Sequence, residues 1–395
     1  MLNLSFYITI FLLSLNQFTS VYKSGESNIY LFDIGMIFFS LYGLFYFLLF
    51  KKSFKLPKFS YLFLLFTISA FTSLLISSPR FSIEELTISS FYLFRFFIYL
   101  LGSIVLFNMI DKKLITKDRV VNTFVLSGVF ISIIGFIQLL VLPDFNALDP
   151  TLGWDPHKNR LASSFFDPNF VGAYLVVCIT LLFDRFWSKN DQKRIKSMDF
   201  LYLFIIVVAL FLTFSRSAWG MFAVVIVIYG LFKSKILLIT AFLVAFLAYF
   251  AIPRIQTRVS GITDPSDSAS LRMVSWRNTI KIIRDNFMLG VGFNTFRYVQ
   301  KEYGFLTPET IDIHSGSGSD SSLLFVWATT GLLGFIIYLL SMLFPVYESI
   351  KKNLNGKLVI LSIVCGLLLE SLFINSLFYP QIMFLLFSLL SIFLI

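Results

Sequence analysis

The sequence predicts an all-α membrane protein with about twelve transmembrane helices. Of its 395 residues, 57% are hydrophobic, only 14% are charged, and 50 are Phe. Soluble domains contain about 25% charged residues, so this charge is too sparse to cover a soluble surface of the same size. The composition excludes a disordered chain, a disulfide-rich secreted domain and a soluble enzyme. Continuous apolar runs also argue against a β-barrel, in which the strands alternate apolar and polar residues.

Twelve apolar stretches approach the roughly 20 residues that a helix needs to cross a bilayer. They are residues 3–20, 28–50, 59–77, 88–110, 120–142, 161–183, 199–214, 217–232, 236–252, 321–345, 358–376 and 379–395. The first stretch lacks the basic start and the small-residue cleavage site of a signal peptide, so we expect it to remain as a helix.

The basic residues between these stretches predict the orientation of the chain. Clusters of Lys and Arg follow the second, fourth, sixth, eighth and tenth stretches, around residues 51–58, 112–119, 185–196, 233–235 and 351–357. Cytoplasmic loops carry the excess of positive charge in membrane proteins. Both termini are therefore expected in the cytoplasm. The net charge of +10 is explained by these loops, without nucleic acid as a partner.

The sequence is expected to form one integral membrane domain, 1–395, with a long outer loop at 253–320. Within this loop, apolar residues recur every three or four positions, as on one face of a helix: Met273, Trp276, Ile280, Ile283 and Phe287. A helix of this kind either lies on the membrane surface or packs on other loop segments. Both arrangements place Arg272 and Arg277 near the outer membrane surface.

The fourth and eleventh predicted spans each contain one charged residue. Arg95 lies in the fourth stretch and Glu370 in the eleventh, and burying an unpaired charge there costs several kcal/mol. We expect Glu370 to be the acidic counterpart of Arg95. The two cysteines and two histidines, together with the scattered acids, predict no metal site and no cofactor.

Four local patterns occur in a fixed order along residues 160–340. They are RLASSFFDPNFVG at 160–172; TFSRSA at 213–218; RMVSW at 272–276 with MLGVGFN at 288–294; and His314 followed by DSSLL at 320–324 and TGLLG at 330–334. Together, on a chain with many spans and one long outer loop, they resemble the O-antigen ligase and Wzy-type polysaccharide polymerase superfamily.

This resemblance implies a glycosyltransferase of the GT-C type in the bacterial cytoplasmic membrane. Its donor would be a glycan on undecaprenyl pyrophosphate, used on the outer face of that membrane. Ligases pass the glycan to the lipid A core, whereas polymerases pass it to a lipid-linked repeat unit and can work with a chain-length regulator protein. Ligases resemble one another in having a histidine at the position of Asp320. The acid found here is closer to the polymerases.

The candidate substrate-binding residues follow from the charge of the pyrophosphate leaving group. Fixed cations stabilise charge that grows in a transition state, and the planar guanidinium of arginine matches phosphate oxygens. We therefore expect Arg216 and Arg272 to hold the pyrophosphate, with Arg160, Arg277 and Asn169 as further binding residues. The alternative for Arg216 is an arginine at the membrane edge that reaches the headgroups.

The candidate catalytic residues are Asp320 and His314, because an acceptor hydroxyl must lose a proton as it attacks. Each has a simpler alternative. Asp320 could cap the helix that follows it, and His314 could be a solvated loop residue. A different class of protein, a twelve-span transporter or a lipid-linked glycan flippase, also fits the number of spans. The absence of a visible half-to-half repeat argues against that class.

Overall fold

The structure is a computed structural model that describes residues 1–24, 27–148, 157–187, 197–260, 268–306 and 318–395. The described residues are almost entirely helical, apart from a short hairpin of two antiparallel strands, β1 (Ser20–Ser24) and β2 (Ser27–Tyr30). His314 falls outside the described residues.

Each of the twelve apolar stretches contains a helix. These helices are α1 (Leu2–Leu15), α2 (Leu31–Phe45), α3 (Lys58–Ser77), α4 (Ile83–Asp111), α5 (Lys117–Val141), α6 (Pro168–Trp187), α7 (Ser197–Leu212), α8 (Arg216–Phe232), α9 (Lys235–Ala251), α13 (Ser322–Lys351), α14 (Lys357–Glu370) and α15 (Pro380–Phe393). The outer loop adds α10 (Pro253–Ser260), α11 (Ser268–Asp285) and α12 (Phe296–Glu302).

The described residues include 7 helices that are long and apolar enough to cross a membrane. Counting their short continuations, they span Leu2–Thr19, Leu31–Phe50, Lys58–Arg80, Ile83–Asp111, Lys117–Val141, Pro168–Trp187 and Ser322–Lys351. Four more apolar helices, α7, α8, α9 and α15, are shorter. The expected all-α polytopic membrane fold is confirmed, whereas the number twelve and the GT-C assignment stay predictions.

The buried side of helix α11 coincides only in part with the apolar face that its sequence predicts. Its buried side includes Ile282 and Ile283, which pack with Phe296, Val299 and Phe325. Of the predicted apolar face, Met273, Ile280 and Phe287 remain exposed. The helix packs on the start of α13, so of the two expected arrangements the structure shows packing on neighbouring segments.

The outer loop is joined to α13 by backbone hydrogen bonds. Helix α13 is interrupted at Gly331, whose φ of 68° and ψ of −174° are not helical. At this break the N–H groups of Val291 and Gly292 donate to the carbonyls of Ala328 and Thr329, at 2.9 and 3.0 Å. In an unbroken helix those carbonyls would accept from residues four positions later. The loop backbone therefore replaces one turn of hydrogen bonds within a transmembrane helix.

Two glycines make this close approach sterically feasible. A Cβ atom on Gly290 would lie 2.5 Å from the nitrogen of Gly331, and one on Gly331 would lie 2.2 Å from the carbonyl oxygen of Met288. Both glycines also have φ near +70°, a region that L-residues disfavour. The Ser73 hydroxyl of α3 lies 2.9 Å from the Leu289 carbonyl oxygen. Helices α3 and α13 and the outer loop are thus fixed to one another.

The partner of Arg95 is Asp33, and the expectation of Glu370 was wrong. Arg95 Nε donates to Asp33 Oδ1 at 2.8 Å and Nη2 to Oδ2 at 2.9 Å. Tyr99 donates to Oδ1 at 2.6 Å, and the Asn28 carbonyl oxygen accepts from Nη2 at 2.8 Å. Asp33 lies in the first turn of α2. The charge pair connects the hairpin, α2 and α4.

We expect Gly290→Ala to lower the melting temperature of the purified protein, because the added methyl would meet the backbone at Gly331. The matched control is Gly304→Ala, since Gly304 has φ +67° but nothing within 4 Å of its Cβ position. The control pays only the left-handed strain, about 1–2 kcal/mol. Gly290→Ala adds an overpacking cost of about 1–3 kcal/mol. Equal melting temperatures for the two variants would contradict the proposed joint.

We expect Arg95→Met to lower the unfolding free energy by about 3–5 kcal/mol, because it leaves the Asp33 carboxylate buried and unpaired. The double variant Asp33→Asn/Arg95→Met should recover most of that loss, since no buried charge then remains. Thermal unfolding in detergent measures both. A double variant that is no more stable than Arg95→Met would show that the charge pair is not the cause.

Candidate functional site

Five arginines gather where the ends of several helices meet the loop at 253–320. We call this group the arginine cluster: Arg160, Arg216, Arg254, Arg258 and Arg272. Arg160 precedes α6, Arg216 begins α8, and the other three lie on α10 and α11 of the outer loop. The charges of Arg258, Arg272 and Arg254 all act on the pKa of Arg160, which shows that segments far apart in sequence come together here.

Arg160 is held rigidly by three different neighbours. Its Nε donates to the Thr213 carbonyl oxygen at 2.9 Å, and its Nη2 donates to Asn169 Oδ1 at 3.2 Å. Its Nη1 lies 3.5 Å from His157 Nδ1. Burial, and then the charge of Arg258, lower its pKa to about 9. Positive charges held this close together repel one another, and an anion bound between them would offset that repulsion.

Asn169 connects two of the sequence patterns. Its Oδ1 accepts from Arg160 and also from the Ser215 hydroxyl, at 2.8 Å, and its backbone N–H donates to Asp167 Oδ1 at 2.6 Å. Helix α6 starts at Pro168, seven positions later than predicted, because residues 161–167 form an outer turn. Asn169 thus orients Arg160 against the start of α8.

Arg216 occupies the first position of α8, directly after its cap. Ser215 Oγ accepts from the Ala218 N–H at 3.3 Å, as an N-cap residue does. Arg216 is half-buried, and its Nη1 donates to the Arg258 carbonyl oxygen at 3.2 Å. The side chain therefore turns toward the outer loop. The positive end of the helix dipole adds to its charge.

Arg272 is placed between the other arginines and a group of acids. Burial lowers its pKa, and the charge of Asp320 is the largest influence in the opposite direction. Arg216 lowers this pKa further, while Asp167 and Glu370 raise it. Arg272 is therefore the member of the arginine cluster that faces the candidate base.

Asp320 is fixed by the helix that carries Arg272. Its backbone N–H donates to Ser275 Oγ at 3.0 Å, and its carbonyl oxygen accepts from Trp276 Nε1 at 3.2 Å. Burial raises the pKa of the Asp320 carboxyl, whereas Arg272 and a hydrogen bond from Ser275 lower it. The cap of α13 is Ser321, whose Oγ accepts from the Leu324 N–H. The capping role considered for Asp320 thus belongs to its neighbour.

Two candidates from the sequence do not join this arrangement. Arg277 is exposed on α11, about 140° around the helix axis from Arg272 at 3.6 residues per turn. His314 lies outside the described residues, so the structure gives it no position. The described part of the chain contains no group of three His, Cys, Asp or Glu side chains able to hold a metal ion.

Four residues of the site were not among the candidates from the sequence: Arg254, Arg258, His157 and Ser275. Arg254 Nη2 donates to the Lys158 carbonyl oxygen at 2.7 Å, and its guanidinium lies 4.0 Å from the centre of the Phe214 ring. The spacing of Arg254 and Arg258 by four residues places them on one face of α10. That spacing was the available signal, and it gave no indication of which surface the face would meet.

The arrangement combines fixed positive charge with one partly buried carboxylate, that of Asp320, whose charge acts on Arg272. Several preorganised guanidinium groups can bind an anion with more than one phosphate. A carboxylate whose pKa is raised can accept a proton nearer neutral pH. The geometry is therefore suited to displacing a phosphorylated leaving group while a proton is removed from the attacking hydroxyl.

Residues 201–339 match the family model described as O-antigen ligase, a range that contains Arg216, Arg272 and Asp320. No curated protein matches the chain. The family match confirms the resemblance found in the sequence. With the membrane-length helices, it indicates a multi-pass protein of the bacterial inner membrane with an O-antigen ligase or polymerase type of function.

Proposed function

Since residues 201–339 match the O-antigen ligase family model, we propose that the chain is a bacterial polysaccharide polymerase. It transfers a glycan from undecaprenyl pyrophosphate to a lipid-linked repeat unit on the outer face of the cytoplasmic membrane. Both termini then lie in the cytoplasm, and the fold is of the GT-C type. The observation that supports this best is the arginine cluster next to Asp320.

The arginine cluster binds the pyrophosphate in this proposal. Arg216 and Arg272 contact the phosphates, and Arg160 is the third clamp residue, oriented by Asn169. These cations are in place before the sugar–phosphate bond breaks, so little reorganisation is needed as charge grows on the leaving oxygen. The exposed Arg277 acts at longer range, by attracting the anionic donor to the outer loop.

Asp320 is the general base. The acceptor hydroxyl attacks the anomeric carbon of the donor sugar, the bond to the pyrophosphate oxygen breaks, and the hydroxyl proton passes to the Asp320 carboxylate. Undecaprenyl pyrophosphate leaves with both electrons of the broken bond and remains on the clamp. Arg272 lies between the base and the leaving group, so it stabilises the ionised form of each.

The polymerase is preferred over a ligase because Asp320, an acid, occupies the position at which ligases resemble one another in having a histidine. A ligase that transfers the glycan to the lipid A core is the second candidate, and the description of the matched family favours it. A chain-length regulator protein is a partner that the polymerase would use. In either case the lipid-linked glycan is a substrate and membrane lipid surrounds the protein.

The proposal is tested by separating surface glycan on a gel from cells that lack this protein. Wild type should restore a ladder of repeat lengths, whereas Arg216→Ala and Arg272→Ala should leave single repeats on the normal acceptor. Loss of one fixed group that stabilises transition-state charge lowers a rate by about 100–1,000-fold. Arg284→Ala, an exposed change on the same helix as Arg272, should restore the ladder.

Each alternative gives a different gel. Long glycan that accumulates on undecaprenyl pyrophosphate and never reaches its acceptor identifies a ligase. A ladder that is unchanged without the protein contradicts both enzyme assignments and favours a transporter or an unrelated glycan. All variants must reach the membrane in wild-type amounts, measured with an epitope tag.

The activity should fall as the pH drops through the pKa of Asp320, because only the ionised carboxylate accepts a proton. Ser275→Ala removes a hydrogen bond that lowers this pKa, so the pKa rises. The acid limb of the pH–rate profile should then move to higher pH. The profile is measured by glycan transfer in membranes across a buffer series.

The control for this prediction is Ser275→Thr, which keeps a hydroxyl at the same position and should keep the wild-type profile. If Ser275→Ala lowers the rate equally at all pH values, the group that titrates is not Asp320.

A further inference from the structure

His157 is a buried histidine beside the arginine cluster that the proposed function leaves without a role. It is 9% exposed. Its ring packs against Phe145, with centroids 5.9 Å apart, and its carbonyl oxygen accepts from the Phe145 N–H at 2.9 Å. The outer turn therefore fixes both the backbone and the ring.

The contact with Arg160 determines which ring nitrogen carries the proton. His157 Nδ1 lies 3.5 Å from Arg160 Nη1, and a guanidinium can only donate. Burial lowers the His157 pKa to about 4, despite the opposing charge of Asp167. At neutral pH the imidazole is thus uncharged, Nδ1 faces the guanidinium with its lone pair, and the proton is on Nε2.

The Nε2–H group is a buried donor with no hydrogen-bond partner among the described residues. Buried polar groups are nearly always paired, so an exception calls for an explanation. Arg160 shows a related feature. Three of its five N–H groups point to the Thr213 carbonyl oxygen, Asn169 and His157, which leaves one N–H on each Nη nitrogen. Two side chains that contact each other therefore both carry N–H groups without a hydrogen-bond partner among the described residues.

We propose that His157 is a ligand-binding residue, whose Nε2–H donates to an oxygen of the bound lipid-linked donor next to Arg160. This inference rests on the proposed function. The acceptor is either a phosphate oxygen or a hydroxyl of the first sugar, since both accept from a neutral N–H. A neutral donor suits this position, because a sixth cation would be repelled by the arginines.

Two amide variants separate the two nitrogens of the ring. His157→Gln extends an N–H group to about the position of Nε2, and His157→Asn places an acceptor only at about the position of Nδ1. Binding is measured on the purified full-length protein in detergent. The probes are inorganic pyrophosphate and farnesyl pyrophosphate, and Arg216→Ala is the control for the site itself.

We expect His157→Gln to bind within about 3-fold of wild type and His157→Asn to bind about 10-fold more weakly, the loss that one hydrogen bond explains. The same loss for both probes identifies a phosphate oxygen as the acceptor. If His157→Asn binds both probes normally but fails to restore the glycan ladder that His157→Gln restores, the acceptor is a sugar hydroxyl.

Three results would overturn the inference. In the first, both variants bind the probes and restore the ladder as wild type does. In the second, both variants lose binding equally. In the third, His157→Asn keeps binding and His157→Gln loses it. The last would show that His157 acts only by orienting Arg160. Failure of the proposed function is recognised separately: wild type and Arg216→Ala would then bind pyrophosphate equally, whatever the His157 variants do.

Discussion

The joint between the outer loop and the break in α13 is the constraint on which the site depends. Residues 291 and 292 use their backbone N–H groups to satisfy carbonyls that the helix leaves open at Gly331. Inside a membrane an unsatisfied carbonyl is costly, so the helix break and the docked loop require each other. The joint places α11 along the start of α13. Asp320 is consequently close enough to Arg272 for their charges to interact, although the two residues are 48 positions apart in sequence.

A group of neighbouring arginines repels itself and needs a scaffold that holds it. Among the described residues, several of the contacts that hold it are to oxygen atoms without a full charge, namely the carbonyl oxygens of Thr213, Lys158 and Arg258 and the side chain of Asn169. These contacts orient the guanidinium groups in advance, which is the preorganisation that stabilises a developing anion.

Arg272 couples the two halves of the proposed chemistry. It raises the acidity of Asp320, and it lies close enough to Arg216 for their charges to interact. An anion bound by the arginines would reduce the positive potential at Asp320 and make its carboxylate more basic. The base is then strongest when the donor is present. This coupling follows from the position of α11, since one turn of that helix carries both Arg272 and Ser275.

The sequence by itself determined the membrane class and the helical stretches, because apolar length is a local property of the chain. Arg216, Arg272, Arg160 and Asp320 were chosen from patterns that resemble a known family, and their roles stay predictions. Only the tertiary structure decided which partners meet. Arg95 found Asp33 rather than Glu370, α11 buried Ile282, and His157 came to lie against Arg160. Those outcomes depend on how distant segments pack, and periodicity within one helix carries no information about that.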